Sequence, residues 1–200
     1  MTRNHFRLFA PLLIAALFAA CQPEAPTTTT PTVEPAEPTL APAPLFNSDS
    51  AYAYVAKQVA FGPRVPGSAA HKACGDWLVE KLKSYGARVI EQNAQVTIYN
   101  GQQVPMRNII ASWEPDNKSR ILLFTHWDSR PFADQDTVRQ NEPIDAANDA
   151  GSGVGVLLEL ARHLAEQPPH VGVDVFLNDV EDMGEPEGAM GIEQNSSDDT

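Results

Sequence analysis

Cysteine is nearly absent from this chain: two occur in 200 residues, Cys21 and Cys74. A disulfide framework is thereby excluded, because Cys21 sits in a segment with its own explanation and Cys74 is left without a partner. Cys74 reads as a small buried apolar residue. Basic residues are scarce as well, 14 Lys and Arg against 26 Asp and Glu. So acidic a surface argues against a nucleic-acid partner, whose phosphates it would repel. The N-terminal apolar run, residues 8–20, is shorter than the roughly 20 residues that a helix needs to cross a bilayer.

Arg3 and Arg7 stand before that run. A charged start, an apolar stretch and small residues after it form a signal peptide pattern over residues 1–20. Ala19-Ala20-Cys21 resembles the bacterial lipobox, in which Cys21 becomes the lipidated first residue of the mature chain. Residues 21–46 are dominated by Pro, Thr, Ala and Glu, a composition that cannot bury enough apolar surface to offset chain entropy and is expected to stay extended as a tether. The expectation is a lipoprotein of the bacterial cell envelope, held at the membrane through Cys21 and facing the periplasm or the outside. Residues 47–200 are then length for one domain.

Within that domain, Ser48 is a candidate cap for a helix over residues 49–60, with Tyr52, Val55 and Val59 near helical spacing and Phe61-Gly62-Pro63 ending it. Ser68 caps a second helix that stops at Gly86, its apolar stripe made by Ala70, Cys74, Trp77, Leu78, Leu82 and Tyr85. The period then changes to two, with strands on either side of the turn Asn100-Gly101. Ile121-Leu122-Leu123-Phe124 is wholly apolar and is expected to be a central strand buried on both faces. A helix over residues 151–167, with Val154, Leu157, Leu158, Ala161 and Leu164 on one side, stops at Pro168-Pro169 and leads to the strand carrying Val173, Val175, Phe176 and Leu177. A strand, a helix and a strand in that order place the chain in the α/β class, with a largely parallel sheet at its centre.

The chemistry collects at the ends of these strands, the edge where open α/β sheets hold ligands. His126, Trp127 and Asp128 follow the first of them. Asp149 lies in Asn148-Asp149-Ala150-Gly151-Ser152-Gly153, where glycines let the turn curl close to an ion; taken alone, it would be a helix cap. Glu181 and Asp182 are adjacent, so in extended chain their side chains diverge, one free to bind a metal and the other to face substrate as a base. His126 with Asp128 can be a ligand with its orienting carboxylate, a supporting pair behind the ligands, or an ordinary loop histidine. Arg130, Phe132 and Asp134 are placed to line a cleft entrance, while His71, His163 and His170 read as structural or surface residues. Asp, Glu and His together suit a borderline divalent ion such as zinc.

In order along the chain stand Phe61-Gly62-Pro63-Arg64 with Pro66-Gly67-Ser68, His126-Trp127-Asp128-Ser129, Asn148-Asp149 with Gly151-Ser152-Gly153, Leu157-Leu158-Glu159-Leu160-Ala161-Arg162, and Asp179-Val180-Glu181-Asp182. This series resembles zinc metallopeptidase family 28, which contains aminopeptidases and glutaminyl-peptide cyclotransferases, and the resemblance covers residues 49–188. It implies a three-layer α/β/α fold with a mixed, centrally parallel sheet, as in the zinc aminopeptidases, and Zn2+ as cofactor. It implies Asp149 and Asp182 as metal ligands, Glu181 as the catalytic general acid and base, and His126 and Asp128 in support, His126 joining the ligands only if a second metal binds.

His126-Trp127-Asp128-Ser129-Arg130-Pro131 and Asp179-Val180-Glu181-Asp182-Met183-Gly184 look most like the bacterial glutaminyl cyclases. The aminopeptidases more often show Gly-Glu-Glu where Val180-Glu181-Asp182 stands, which keeps Glu185 as an alternative ligand to Asp182. The activity implied is conversion of N-terminal glutamine in peptides or proteins to pyroglutamate with release of ammonia. The alternatives are an aminopeptidase of the same family and a non-catalytic lipoprotein that keeps the fold. The family's remaining ligand, a histidine, lies farther downstream than Thr200. The resemblance therefore also implies a C-terminally incomplete catalytic domain, with an unfilled ligand set and uncovered sheet edges, inactive by itself.

Overall fold

The computed structural model describes residues 42–186. The expected signal peptide, Cys21 and nearly all of the tether lie outside the described residues. Helix α1 (Ser48–Val59) is capped by Asn47, whose side chain accepts the Ser50 N–H. The expected cap, Ser48, is instead the first helical residue; the Asn47 N–H is drawn to Glu159 Oε1, and that bond places Asn47 at the cap. Helix α2 (Ala69–Ser84) begins as expected on Ser68, whose Oγ accepts the His71 N–H. It ends at Tyr85, with Gly86 at φ +79 taking the left-handed position that stops a helix.

Strands β1 (Arg88–Thr97) and β2 (Gln103–Trp113) form the hairpin around Gly101, at φ +82. Then follow β3 (Arg120–His126), α3 (Gly151–Glu166) and β4 (Gly172–Asn178). The sheet order is β1-β2-β4-β3. It is mixed: β1 with β2 and β2 with β4 run antiparallel, and the parallel pairing is that of β3 with β4, the two strands joined through α3. No helix among the described residues is long and apolar enough to cross a membrane.

One face of the sheet carries Ile109, Ala111, Val175 and Leu177 into a core with Cys74, Leu78 and Leu82 of α2 and Val154, Leu158 and Ala161 of α3. Burial of these side chains contributes roughly 1.5–3 kcal/mol each for the larger ones and is what fixes the helices on that face. Cys74 is buried and free, as expected. Helix α1 lies against α3 so closely that a Cβ at Gly155 would stand 2.8 Å from both Ala51 O and Val55 Cγ2.

The opposite face bears a row of apolar side chains in register across the four strands: Ile90, Ile110, Phe176 and Phe124. Burial of β3 on both faces, expected from its apolar run, is not what is seen. In the sheet of the described residues β3 lies at the edge, with Leu122 59% and Phe124 71% exposed. The run alternates physically although not chemically: Leu123 packs on the core, whereas its neighbours face the side that no helix covers among the described residues. Of the expected layers, the described residues supply the sheet and the helices on one side of it. At the far end of the bare face, Arg120 pairs with Asp174 at 2.7 Å.

Candidate metal centre

Parallel pairing sets His126 of β3 beside Asn178 of β4, so the chain leaves both strands at one edge of the sheet. The Trp127 N–H donates to the Asn178 carbonyl and keeps the two exits together. The turn before α3 delivers Asp149 to the same place. His126 Nε2 lies 2.7 Å from Asp149 Oδ1 and 3.7 Å from Glu181 Oε2, and its Nδ1 lies 3.4 Å from Asp128 Oδ1. Ligand atoms of His126, Asp149 and Asp182 all fall within 4.8 Å of one another. Glu185, the alternative to Asp182, is not in that group; it lines the neighbouring cleft.

Asp128 is completely buried, and its two carboxylate oxygens accept the main-chain N–H groups of Glu181 at 3.3 Å and Asp182 at 3.1 Å. Val180, just before them, has φ +67, a left-handed conformation that a β-branched residue rarely adopts. The turn is held from its other side by Asp179, whose carboxylate accepts the N–H groups of Val180 and Arg107 and bonds His71 Nε2. His71 in turn stacks on Trp127, with ring centroids 4.3 Å apart and 15° between planes. His71 is thus structural, as expected, but it is a buried prop behind the site. The left-handed residue also breaks strand alternation, so Glu181 turns outward, its side chain 56% exposed, while Asp182 turns in.

Electrostatically the group is short of positive charge. Burial pushes the Asp182 carboxyl up to about 6, and the carboxylates of Asp128, Asp149 and Glu181 push the same way against the pull of His126. For His126, burial pulls downward, but hydrogen bonding to Asp128 and Asp149 and the charge of Glu181 outweigh it and raise the imidazole to about 9. Asp182 Oδ2 is buried without a hydrogen-bond partner among the described residues, while His126 Nδ1 is turned to Asp128, which leaves Nε2 on the side of Asp149. One imidazole and two carboxylates whose ligand atoms converge, with the orphaned Asp182 Oδ2 among them, fit a borderline divalent cation.

A cleft of about 700 Å³ opens beside these residues, lined by Arg130, Phe132 and Asp134 together with Asp149, Asp182 and Glu185. The expected entrance residues therefore do meet the site. Arg130 joins its walls, pairing with Asp134 at 2.6 Å, donating to the carbonyls of Asp182 and Glu185, and lying over the Phe132 ring at 4.7 Å. Another cavity, about 560 Å³ around Trp113 and Pro168, sits at the opposite end of the sheet, away from this chemistry.

Residues 108–194 match the model of peptidase family M28. Among solved structures, a Zn-dependent exopeptidase from Parabacteroides distasonis is 54% identical, with a TM-score of 0.72 over 74% of this chain and 51% of that one. The glutaminyl cyclase of Porphyromonas gingivalis is 53% identical, with a TM-score of 0.70 over 72% of this chain and 51% of that one. A leucine aminopeptidase precursor from Bacteroides thetaiotaomicron is 48% identical, with a TM-score of 0.73 over 74% and 52%. The chain spans about half the length of each. The family-model match takes in His126, Asp149, Glu181 and Asp182, and the α/β fold is that of the three structures. Over residues 108–194 the chain is similar to peptidase family M28.

Proposed function

We propose that the protein is a zinc-dependent glutaminyl-peptide cyclotransferase, closing the N-terminal glutamine of peptides or proteins into pyroglutamate with release of ammonia. The observation that carries this reading is the placement of Glu181: an outward-facing carboxylate beside the cluster of His126, Asp149 and Asp182 and next to the cleft. Asp149 and Asp182 are the ligands in this reading, and His126 braces Asp149 through the bond between them. Zinc bound there would supply Lewis-acid polarisation of the glutamine side-chain carbonyl. Glu181 accepts a proton from the substrate's α-amine, whose nitrogen forms a bond to the side-chain amide carbon as the bond to the departing nitrogen breaks. The same carboxyl returns the proton to that nitrogen, which leaves as ammonia, so the step is balanced and consumes no water. Asp128 holds the main chain of both acidic residues during the exchange.

The relatives named glutaminyl cyclases support this choice. A second reading, a zinc aminopeptidase, is favoured by the presence of His126 within the donor group, where it could serve another ion, and by the exopeptidase and aminopeptidase relatives. Either enzyme is proposed to sit in the bacterial envelope, tethered to the membrane through Cys21. Incubating the full-length protein with a Gln-initiated peptide separates the two. Ammonia release from an uncleaved peptide is expected, and release of free glutamine would overturn the cyclase reading. Glu181→Gln is expected to lower turnover by roughly 10²–10⁴-fold, the usual worth of a positioned acid and base, with zinc content retained; undiminished turnover would remove Glu181 from its role.

A further inference from the structure

Arg64 is the one residue of the Phe61-Gly62-Pro63-Arg64 motif that carries charge, and it is completely buried. A guanidinium taken out of water needs compensation. Here its forked nitrogens donate to main-chain carbonyls, Nη1 to Asp145 and Nη2 to Ala146, the latter at 2.9 Å. Both carbonyls belong to the turn that ends at Asp149. Ala146 has φ +47, a left-handed conformation costly for any residue with a Cβ. Its carbonyl also accepts the Gly151 N–H at 3.1 Å, so one oxygen is gripped from two sides and closes the loop over residues 146–151.

Gly151 confirms how tight that point is. A Cβ there would stand 2.7 Å from Ala146 O and 3.7 Å from Arg64 Nη2. Arg64 reaches the other half of the site as well, since its own carbonyl accepts the N–H of Ser129 at 3.2 Å, the residue after buried Asp128. One side chain and its backbone therefore tie the segment bearing His126 to the turn bearing Asp149.

We infer that Arg64 is a positioning residue for the metal centre: by holding the carbonyls of Asp145 and Ala146 it fixes Asp149 against His126 and thereby sets the affinity of the site for zinc. The inference rests on the zinc reading proposed above. Its alternative is that Arg64 serves only the stability of the fold, and the two differ in what they do to metal binding.

The test is zinc affinity of the full-length protein, measured with zinc alone against a competing chelator, for wild type, Arg64→Lys and Arg64→Met. Arg120→Met serves as the control, because it removes a partly buried Arg and its pair with Asp174 at the far end of the sheet. Lysine keeps the charge but replaces the fork by a single ammonium, so Arg64→Lys should weaken zinc binding about 10-fold and Arg64→Met about 100-fold, the range found when residues orienting metal ligands are lost. Arg120→Met should lower Tm yet leave zinc affinity within about twofold. In an Asp149→Asn background the effect of Arg64→Lys should vanish, as expected of residues acting through one another. Wild-type zinc affinity in Arg64→Lys, or an equal loss in Arg120→Met, overturns the inference while the zinc reading stands. Absence of zinc binding by wild type overturns both. If Arg64→Met does not fold, the lysine variant decides.

Discussion

Replacing Asp128 by alanine tests whether the acidic turn is held in place from beneath. The carboxylate is buried and its two oxygens receive the N–H groups of Glu181 and Asp182 at 3.3 and 3.1 Å. A hydrogen bond to a charged acceptor contributes about 1.5–3 kcal/mol, and these lengths put both at the lower end, so losing the pair costs about 3 kcal/mol. Part of that returns. Val180 can leave its φ of +67 once the turn is released, which recovers about 1 kcal/mol of backbone strain. The expected net loss is about 2 kcal/mol. In Asp128→Asn the amide oxygen still accepts one N–H while the amide nitrogen faces the other, so the loss is similar in origin and somewhat smaller. Urea unfolding of the metal-free protein should show a midpoint lowered by about 1 M with an unchanged slope. Amide exchange at residues 180–182 should quicken more than exchange in the core strands. A midpoint equal to wild type, or protection at residues 180–182 unchanged, would refute the claim that Asp128 supports the turn.

Two further substitutions probe the frame around α3. Glu159 is buried and its carboxyl is held below the usual range by Arg162 first, with burial opposing and the Asn47 N–H adding to the effect. Because its folded pKa is depressed, its contribution is present above about pH 4.3 and is lost as pH falls through the folded value. Glu159→Gln should therefore flatten the acid side of a Tm-against-pH curve, and an unaltered acid limb would count against the pairing. Gly155→Ala should be destabilising although helix propensity alone favours it by about 1 kcal/mol. The new methyl meets Ala51 O and Val55 Cγ2 at 2.8 Å, and overpacking of that kind costs about 1–3 kcal/mol; a rise in Tm would show that α1 yields freely.

Much of the frame was legible in the residues. Helical spacing in Val154, Leu157, Leu158 and Ala161 marks the buried side of α3, and Asn100-Gly101 marks the hairpin, because both signals are local. Strand order was not legible. Nothing in β4 itself says that it inserts between β2 and β3, and the apolar run of β3 records a preference for burial without naming what would cover it. The cap at Asn47 was missed because Asn and Ser serve equally well, and the choice is settled by Glu159, 112 residues away. At the site, adjacency suggested that Glu181 and Asp182 diverge through strand pleating, whereas the divergence comes from Val180 in a left-handed turn. Arg64 gave no signal of its role, since its partners are main-chain carbonyls, and Asp179 gave none because its side-chain partner, His71, lies 108 residues away.

That last point explains how so acidic a chain shapes a defined site. Asp128 and Asp179 are buried and bond main-chain N–H groups of the turn that carries Glu181 and Asp182, Asp128 those of Glu181 and Asp182 themselves and Asp179 that of Val180. Arg64 does the converse for the turn that carries Asp149, gripping its carbonyls. Charged side chains thus hold backbone from both polarities, and the backbone holds the converging donors. An ion pair could be satisfied by many loop paths, whereas an acceptor shared by two successive N–H groups, or a fork spanning two successive carbonyls, fixes the course of the chain itself. The strain at Ala146 and Val180 persists because each lies in a segment gripped in this way, and those are the two segments whose positions decide whether Asp149 and Asp182 can reach one ion together.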